Sequence, residues 1–320
     1  MDLRFGRIVC GRELMMKSRK YLIGLLALGF ILSGCESREH SLIREQGYLR
    51  DFPPEEVANY DTGVVYASPG GHDLTLDVSW PEGEGPFPIL VIIHGGGWEL
   101  HTNRIMQGMA RYITNRGYAV FNINYRVLSE GVTMQEIVED CFGAIIWVKE
   151  HAEKYNADPT RIAVTGDSAG GHLSAMIVTR AKDSCFKPSY TGTGRYDASV
   201  TCAIPTYGVY DFKSLSKLTA GIMTKKIFSA TYKEAPELYE KFSPAYHVRA
   251  DLAPQLIVCG NIDPLYSENR AYEKRLKDVG APCEFYLAKG QTHAFLNSYW
   301  KKPGQDGYNA MIQFLDKHLK

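Results

Sequence analysis

The stretch Arg161-Ile-Ala-Val-Thr-Gly-Asp-Ser-Ala-Gly170 runs an apolar segment directly into the pentapeptide Gly166-Asp167-Ser168-Ala169-Gly170, which fits G-x-S-x-G. A helical pattern over 170–181 follows at once. A strand that turns this sharply into a helix crowds the backbone around the serine, and a Cβ on either flanking residue would clash. Two glycines remove that clash and leave the serine hydroxyl exposed at the strand end. A helix N-cap also explains a serine here, but it explains neither glycine.

Working outward, the same strand-then-helix rhythm repeats. Pro88-Ile-Leu-Val-Ile-Ile93 is a continuous apolar run bounded by Pro and Gly, as expected of a strand covered on both faces. Runs at 118–124, 161–165, 200–204, 255–259 and 283–287 repeat the theme. Residues 104–116, 133–154, 170–181, 267–279 and 306–319 carry apolar residues at helical spacing, for example Ile137, Cys141, Ala144, Ile145 and Val148. Ahead of them, 63–66 and 74–78 read as an antiparallel opening hairpin. The expected fold is α/β, a mostly parallel central sheet with helices on both faces. Residues 212–246 interrupt the rhythm and read as a small lid insertion.

The chain has 320 residues, of which 45% are hydrophobic and 22% charged, close to the globular averages of about 45–50% and about 25%. General disorder is excluded. Lys+Arg and Asp+Glu balance at 36 each, so no basic surface for nucleic acid is expected. Residues 1–34 carry six basic and two acidic side chains, which leaves the remainder mildly acidic, with 30 basic against 34 acidic.

A serine hydroxyl is a weak nucleophile and needs a base. On this fold the chain order is serine, then acid, then histidine. His247, His293 and His318 lie downstream, but His318 belongs to the terminal helix and His247 precedes the best acid. His293, in a loop after the expected strand 283–287, is the candidate base. Asp263 follows the run 255–259 and is the candidate acid, where it would hold the tautomer of the imidazole. Asp251 and Asp278 are weaker rivals because neither follows a strand. His94-Gly95-Gly96-Gly97-Trp98 ends the run 88–93, and its glycines leave N–H groups approachable. Gly95, Gly96 and Gly97, with Ala169, are the candidate donors to an oxyanion. His94 is read as a structural hydrogen-bonder. Trp98, Tyr299 and Trp300 are the substrate-pocket candidates, for stacking on a sugar or aryl group.

These motifs resemble those of the hormone-sensitive-lipase-like esterases of the α/β-hydrolase superfamily. The resemblance rests on HGGGW at 94–98, GDSAGG at 166–171, DPL at 263–265 with Tyr272 and Leu276, and THAF at 292–295, and runs from about residue 60 to the C-terminus. Asn124-Tyr125-Arg126, Asp140, Trp147, Asp158-Pro159, Arg161 and Ser243-Pro244 also fall where such esterases carry these residues. It implies carboxylic-ester hydrolysis through an acyl-enzyme, with no metal or organic cofactor. The sequence departs from the pattern at Ala294, where glycine is usual, and over Val127–Gly131, which lacks the usual Pro-Glu. A peptidase on the same fold and a non-catalytic receptor are the alternatives. A receptor predicts a broken triad, whereas all three residues are present.

At the N-terminus, Lys17, Arg19 and Lys20 precede the apolar run 21–32, the order of a secretory signal. The run is too short to span a bilayer, which needs about 20 residues. Leu32-Ser33-Gly34-Cys35 resembles a bacterial lipobox, which implies cleavage before Cys35, its lipidation and a membrane-anchored exported lipoprotein. The expected organisation is a signal segment 1–34, with 1–14 read as an extension ahead of Met15 or Met16, a polar tether 35–60 and a hydrolase domain 61–320. The five remaining cysteines are read as separate buried thiols in preference to a Cys185–Cys202 disulfide. No spacing suits a zinc site. Acetyl or feruloyl groups on polysaccharide are the expected substrates.

Overall fold

The apolar run at 88–93 forms the strand β3 (Phe87–Ile93), in which every residue after Phe87 is buried. A strand this apolar is stable only between two layers, and both layers are present. The structure, a computed structural model, describes Leu49 and residues 54–320, all within one compact unit, Ser37–Lys320. The signal-like run 21–32, Cys10, Cys35 and the 35–53 part of the expected tether, Leu49 apart, lie outside the described residues.

Among the described residues the chain forms an eight-stranded sheet in the order β1-β2-β4-β3-β5-β6-β7-β8. The strands are β1 (Asn59–Ala67), β2 (Leu74–Trp80), β3, β4 (Ala119–Ile123), β5 (Ala157–Asp167), β6 (Cys202–Thr206), β7 (Gln255–Gly260) and β8 (Cys283–Ala288). β1 and β2 are the expected antiparallel hairpin, and β2 also runs antiparallel to β4. The remaining pairings are parallel.

The covering helices are α1 (Gln107–Thr114), α2 (Met134–His151), α3 (Ala169–Arg180), α7 (Tyr266–Asp278) and α8 (Lys302–Leu319). One apolar cluster joins α2 and α3 to Val91, Phe121 and Val164 on one sheet face. A second joins α1 and α8 to Leu90, Val120 and Ile204 on the other. Between β6 and β7 the chain makes three short helices, α4 (Phe212–Leu218), α5 (Ile222–Phe228) and α6 (Pro236–Lys241). Their aromatic residues pack on one another: Phe228 lies 4.9 Å from Phe212 and 4.8 Å from Tyr239, ring centre to ring centre.

The parallel strands all end on one edge of the sheet. β3 and β5 are neighbours whose register pairs Ile93 with Gly166, so the glycine loop after β3 and the serine turn after β5 emerge side by side. Contact there is close. A Cβ on Gly170 would lie 2.0 Å from the Ile93 carbonyl oxygen, and one on Gly166 would lie 2.5 Å from that of Gly170.

The cysteines depart from expectation in one respect. Cys141, Cys202 and Cys259 are buried free thiols, but Cys185 is exposed and Cys283 half-buried. Cys185 lies in the surface loop after α3, where Arg180 donates to its sulfur at 3.3 Å. No helix among the described residues is long and apolar enough to cross a membrane.

Candidate active site

Ser168 occupies the turn between β5 and α3 with φ 54° and ψ −110°, a conformation that L-residues other than glycine rarely adopt. The strain is held from both sides. Ser168 N donates to the Thr206 carbonyl at 3.0 Å and His172 N donates to the Ser168 carbonyl at 3.0 Å. The glycines that the turn requires are those whose absent Cβ atoms leave room for β3.

His293 arrives from the loop after β8. Its Nε2 lies 2.9 Å from Ser168 Oγ, and its Nδ1 lies 2.9 Å from Asp263 Oδ2. With Nδ1–H donating to the carboxylate, Nε2 is the acceptor left for the serine hydroxyl. Asp263 is buried, and its second oxygen accepts from Leu265 N at 2.7 Å, which fixes the carboxylate plane. Burial works against a charged imidazole, but the charge and hydrogen bond of Asp263, helped by the charge of Asp167, outweigh it and leave the His293 pKa above its ordinary value. The rivals stand elsewhere. Asp251 pairs with Arg249 and Asp278 with Lys274, both at the surface.

Gly96 has φ 109° and Gly97 φ 63°, and a Cβ on Gly96 would lie 2.2 Å from the Leu100 carbonyl oxygen. Only glycine fits this coil of backbone. Among the described residues, the N–H groups of Gly96, Gly97 and Ala169 donate no hydrogen bond. The expectation for Gly95 is corrected: its N–H is already committed, donating to Asp167 Oδ1 at 2.6 Å. His94 is buried with its ring stacked on Tyr125 at 4.3 Å, and Tyr125 donates to its carbonyl at 2.9 Å.

Two of the three pocket candidates, Trp98 and Tyr299, are corrected, while Trp300 is half-buried. Trp98 is 1% exposed, with its indole N–H donating to His172 Nδ1 at 3.1 Å. A left-handed φ of 63° folds it down into the core under the loop. Tyr299 is buried against α1, its ring occupying the space where a Gly108 Cβ would stand, and Trp300 packs edge-on to it at 5.1 Å. What does border the glycines is Met223 of α5, whose methyl lies 3.5 Å from where a Gly97 Cβ would be. Lys226 of the same helix reaches Glu99 at 2.7 Å. A separate cleft of about 610 Å³, lined in part by Lys149, Glu150, His151, Tyr190 and Tyr196, opens at the far end of β5 and takes no part in this arrangement.

Asp167 is the residue that sequence reasoning missed. It occupies the unspecified position of G-x-S-x-G, so the pentapeptide gives it no role, although the longer GDSAGG stretch includes it. It is 3% exposed, and its carboxylate accepts from Gly95 N on one oxygen and from Asn297 Nδ2 at 3.2 Å on the other. Burial raises its pKa, partly offset by those two hydrogen bonds.

A family model described as BD-FAE matches residues 76–275, more than half of the chain and everything from β2 into α7. The chain belongs to the BD-FAE family. Two relatives of this BD-FAE member come from Mycobacterium tuberculosis (strain ATCC 25618 / H37Rv). Esterase LipQ is 29% identical over 251 residues, covering 75% of this chain and 58% of LipQ. Carboxylic ester hydrolase LipN is 31% identical over 263 residues, covering 75% of this chain and 65% of LipN. The chain thus spans less than two thirds of either relative's length. Among solved structures, esterase 2 of Thermogutta terrifontis, phosphoramylated by tabun, superposes with a TM-score of 0.68 at 25% identity, covering 83% of this chain and 97% of that one. The fold of this BD-FAE protein is that of the α/β-hydrolase esterases.

Proposed function

We propose that this BD-FAE family protein is a carboxylic ester hydrolase that works through Ser168, His293 and Asp263. The observation that carries the reading is the continuous relay from Ser168 Oγ to His293 Nε2 and from His293 Nδ1 to Asp263, each link 2.9 Å. His293 takes the hydroxyl proton as Oγ attacks the ester carbonyl, and the oxyanion is met by the N–H groups of Gly96, Gly97 and Ala169. The imidazolium then protonates the departing alcohol. Water, deprotonated by His293, releases the acid from the acyl-serine. Asp263 keeps the imidazole in the one tautomer that can do both.

The finer part of the proposal is that the acyl group is short or aromatic and is carried by a polysaccharide or oligosaccharide. A short acyl group is supported by the position of Met223, whose methyl lies 3.5 Å from where a Gly97 Cβ would be. The lipobox-like sequence before Cys35 supports an exported, lipid-anchored protein acting at a membrane surface.

The test is Ser168→Ala assayed on an aryl acetate. A folded variant should lose activity by about 10³-fold or more. His293→Ala should lose nearly as much, and the double variant little more, since the residues act as a unit. A folded Ser168→Ala protein with parental turnover overturns the assignment.

A further inference from the structure

The end of β6 holds a residue that the relay does not use. Tyr207 is 0% exposed, has φ 34°, and its hydroxyl meets no well-formed hydrogen-bond partner among the described residues. Left-handed backbone is disfavoured for a bulky side chain, and an orphaned hydroxyl is disfavoured in a core. The backbone route explains the first. Tyr207 N donates to the Val258 carbonyl at 2.7 Å, while the adjoining Thr206 carbonyl accepts from Ser168 N. The next residue, Gly208, lies where a Cβ would stand 2.9 Å from the Gly171 backbone. The chain leaving β6 must therefore pass beneath the serine turn, and φ follows from that route.

The ring points to the reason a large aromatic side chain occupies the position. Its centre lies 5.0 Å from that of His293 with the planes at 64°, and 5.8 Å from that of Phe295. His293 is otherwise held by Asp263 on Nδ1 and by Ser168 on Nε2. Both of those bonds lie in the imidazole plane, so they fix the two nitrogens but leave the ring able to tilt about the line that joins them. A rigid aromatic side chain packed against the ring blocks that tilt.

Resting on the ester-hydrolase reading above, we propose that Tyr207 is a positioning residue, whose aromatic ring holds the His293 imidazole in the plane that serves both Ser168 and the leaving alcohol. Its hydroxyl takes no part. A displacement of order 1 Å in a catalytic group costs up to about 100-fold in rate, so loss of the ring falls on the chemical step and leaves substrate binding alone.

The experiment compares Tyr207→Leu, Tyr207→Met and Tyr207→Phe on an aryl acetate, with active sites titrated by an organophosphate and Ser168→Ala run in parallel. The expected result is a fall in kcat per titrated site of about 10- to 100-fold in Tyr207→Leu, with KM changed little. Tyr207→Phe recovers most of that loss and unfolds at the parental denaturant concentration or above it. Parental kcat per site in Tyr207→Leu overturns the proposal, and so does a loss in Tyr207→Phe as large as in Tyr207→Leu. If Tyr207→Leu does not fold, Tyr207→Met is read the same way. An active Ser168→Ala protein instead sinks the hydrolase reading, which keeps the two failures apart.

Discussion

At the scale of single residues, the raised pKa of His293 fixes the sign of the pH dependence. Only neutral imidazole can accept the Ser168 proton, so kcat/KM should fall as pH drops through a midpoint above the ordinary histidine value of about 6.5. Asp263→Asn removes the charge that raises the pKa and leaves the burial that lowers it, so the residual activity should titrate at lower pH. A pH profile of log kcat/KM for both proteins checks this, and an unmoved limb in the variant would remove Asp263 from the account. For stability the sign is opposite. The imidazolium–carboxylate pair contributes below the unfolded histidine pKa, and the contribution is lost as pH rises through the folded one. Ala294 supplies a second prediction. It sits at φ 60° directly after His293, where a Cβ is strained and glycine is not. Ala294→Gly should raise the unfolding free energy by up to about 1 kcal/mol, after allowing for the extra chain entropy of glycine. Urea unfolding with an unchanged slope and a higher midpoint is the expected observation.

At the scale of elements, the loop after β4 is fastened to α2 by one buried pair. Arg126 Nε and Nη2 meet the two oxygens of Asp140 at 2.8 Å each, and the Asp140 side chain is wholly buried. The loop then passes to the glycine coil, where Leu128 N donates to the Trp98 carbonyl at 2.7 Å. Arg126→Met leaves the carboxylate without its charged partner, keeping only the backbone N–H of residue 126 at 3.2 Å, and should cost about 3–5 kcal/mol, whereas Arg126→Met with Asp140→Leu should recover most of it. Equilibrium denaturation of the two variants decides, and a single variant as stable as the parent refutes the argument. Elements were legible in the sequence where burial writes a continuous apolar run, as in β3, β7 and α2. Their ends were less so. β5 begins at Ala157, four residues ahead of its apolar run, because Ala157 pairs with Phe87 across a register shift. The relay residues were legible because strand ends and chain order restrict them. Trp98, Tyr299 and Tyr207 were not, because the direction of a loop side chain depends on φ values and on partners distant in sequence.

Across the whole molecule, the insertion between β6 and β7 packs most of its large aromatic residues inward, on one another and on Trp98, His172 and Phe186. Phe212, Leu215, Ile227, Tyr239 and Phe242 are buried, with Phe242 against Phe186 at 6.1 Å, while Leu218 and Ile222 are the insertion's large exposed apolar side chains. Across acetate, butyrate, octanoate and palmitate esters, rates should fall steeply beyond about six to eight carbons. Palmitate as the best substrate would defeat the short-acyl reading and the polysaccharide hypothesis with it. The tie from Lys226 to Glu99 is solvent-exposed and weak, of order 1 kcal/mol or less, so the insertion is held by its buried aromatic residues. The Asp167 carboxylate has the opposite character. One oxygen takes its bearing from Gly95 and the other from Asn297, so a single buried group surveys both the glycine coil and the segment that carries His293. Three loops contributed by three different strands thereby share one origin of coordinates. Grafting any one of them from a related α/β-hydrolase would import its angles but not its reference point, and only exchange of all three together, carboxylate included, should transplant a working site.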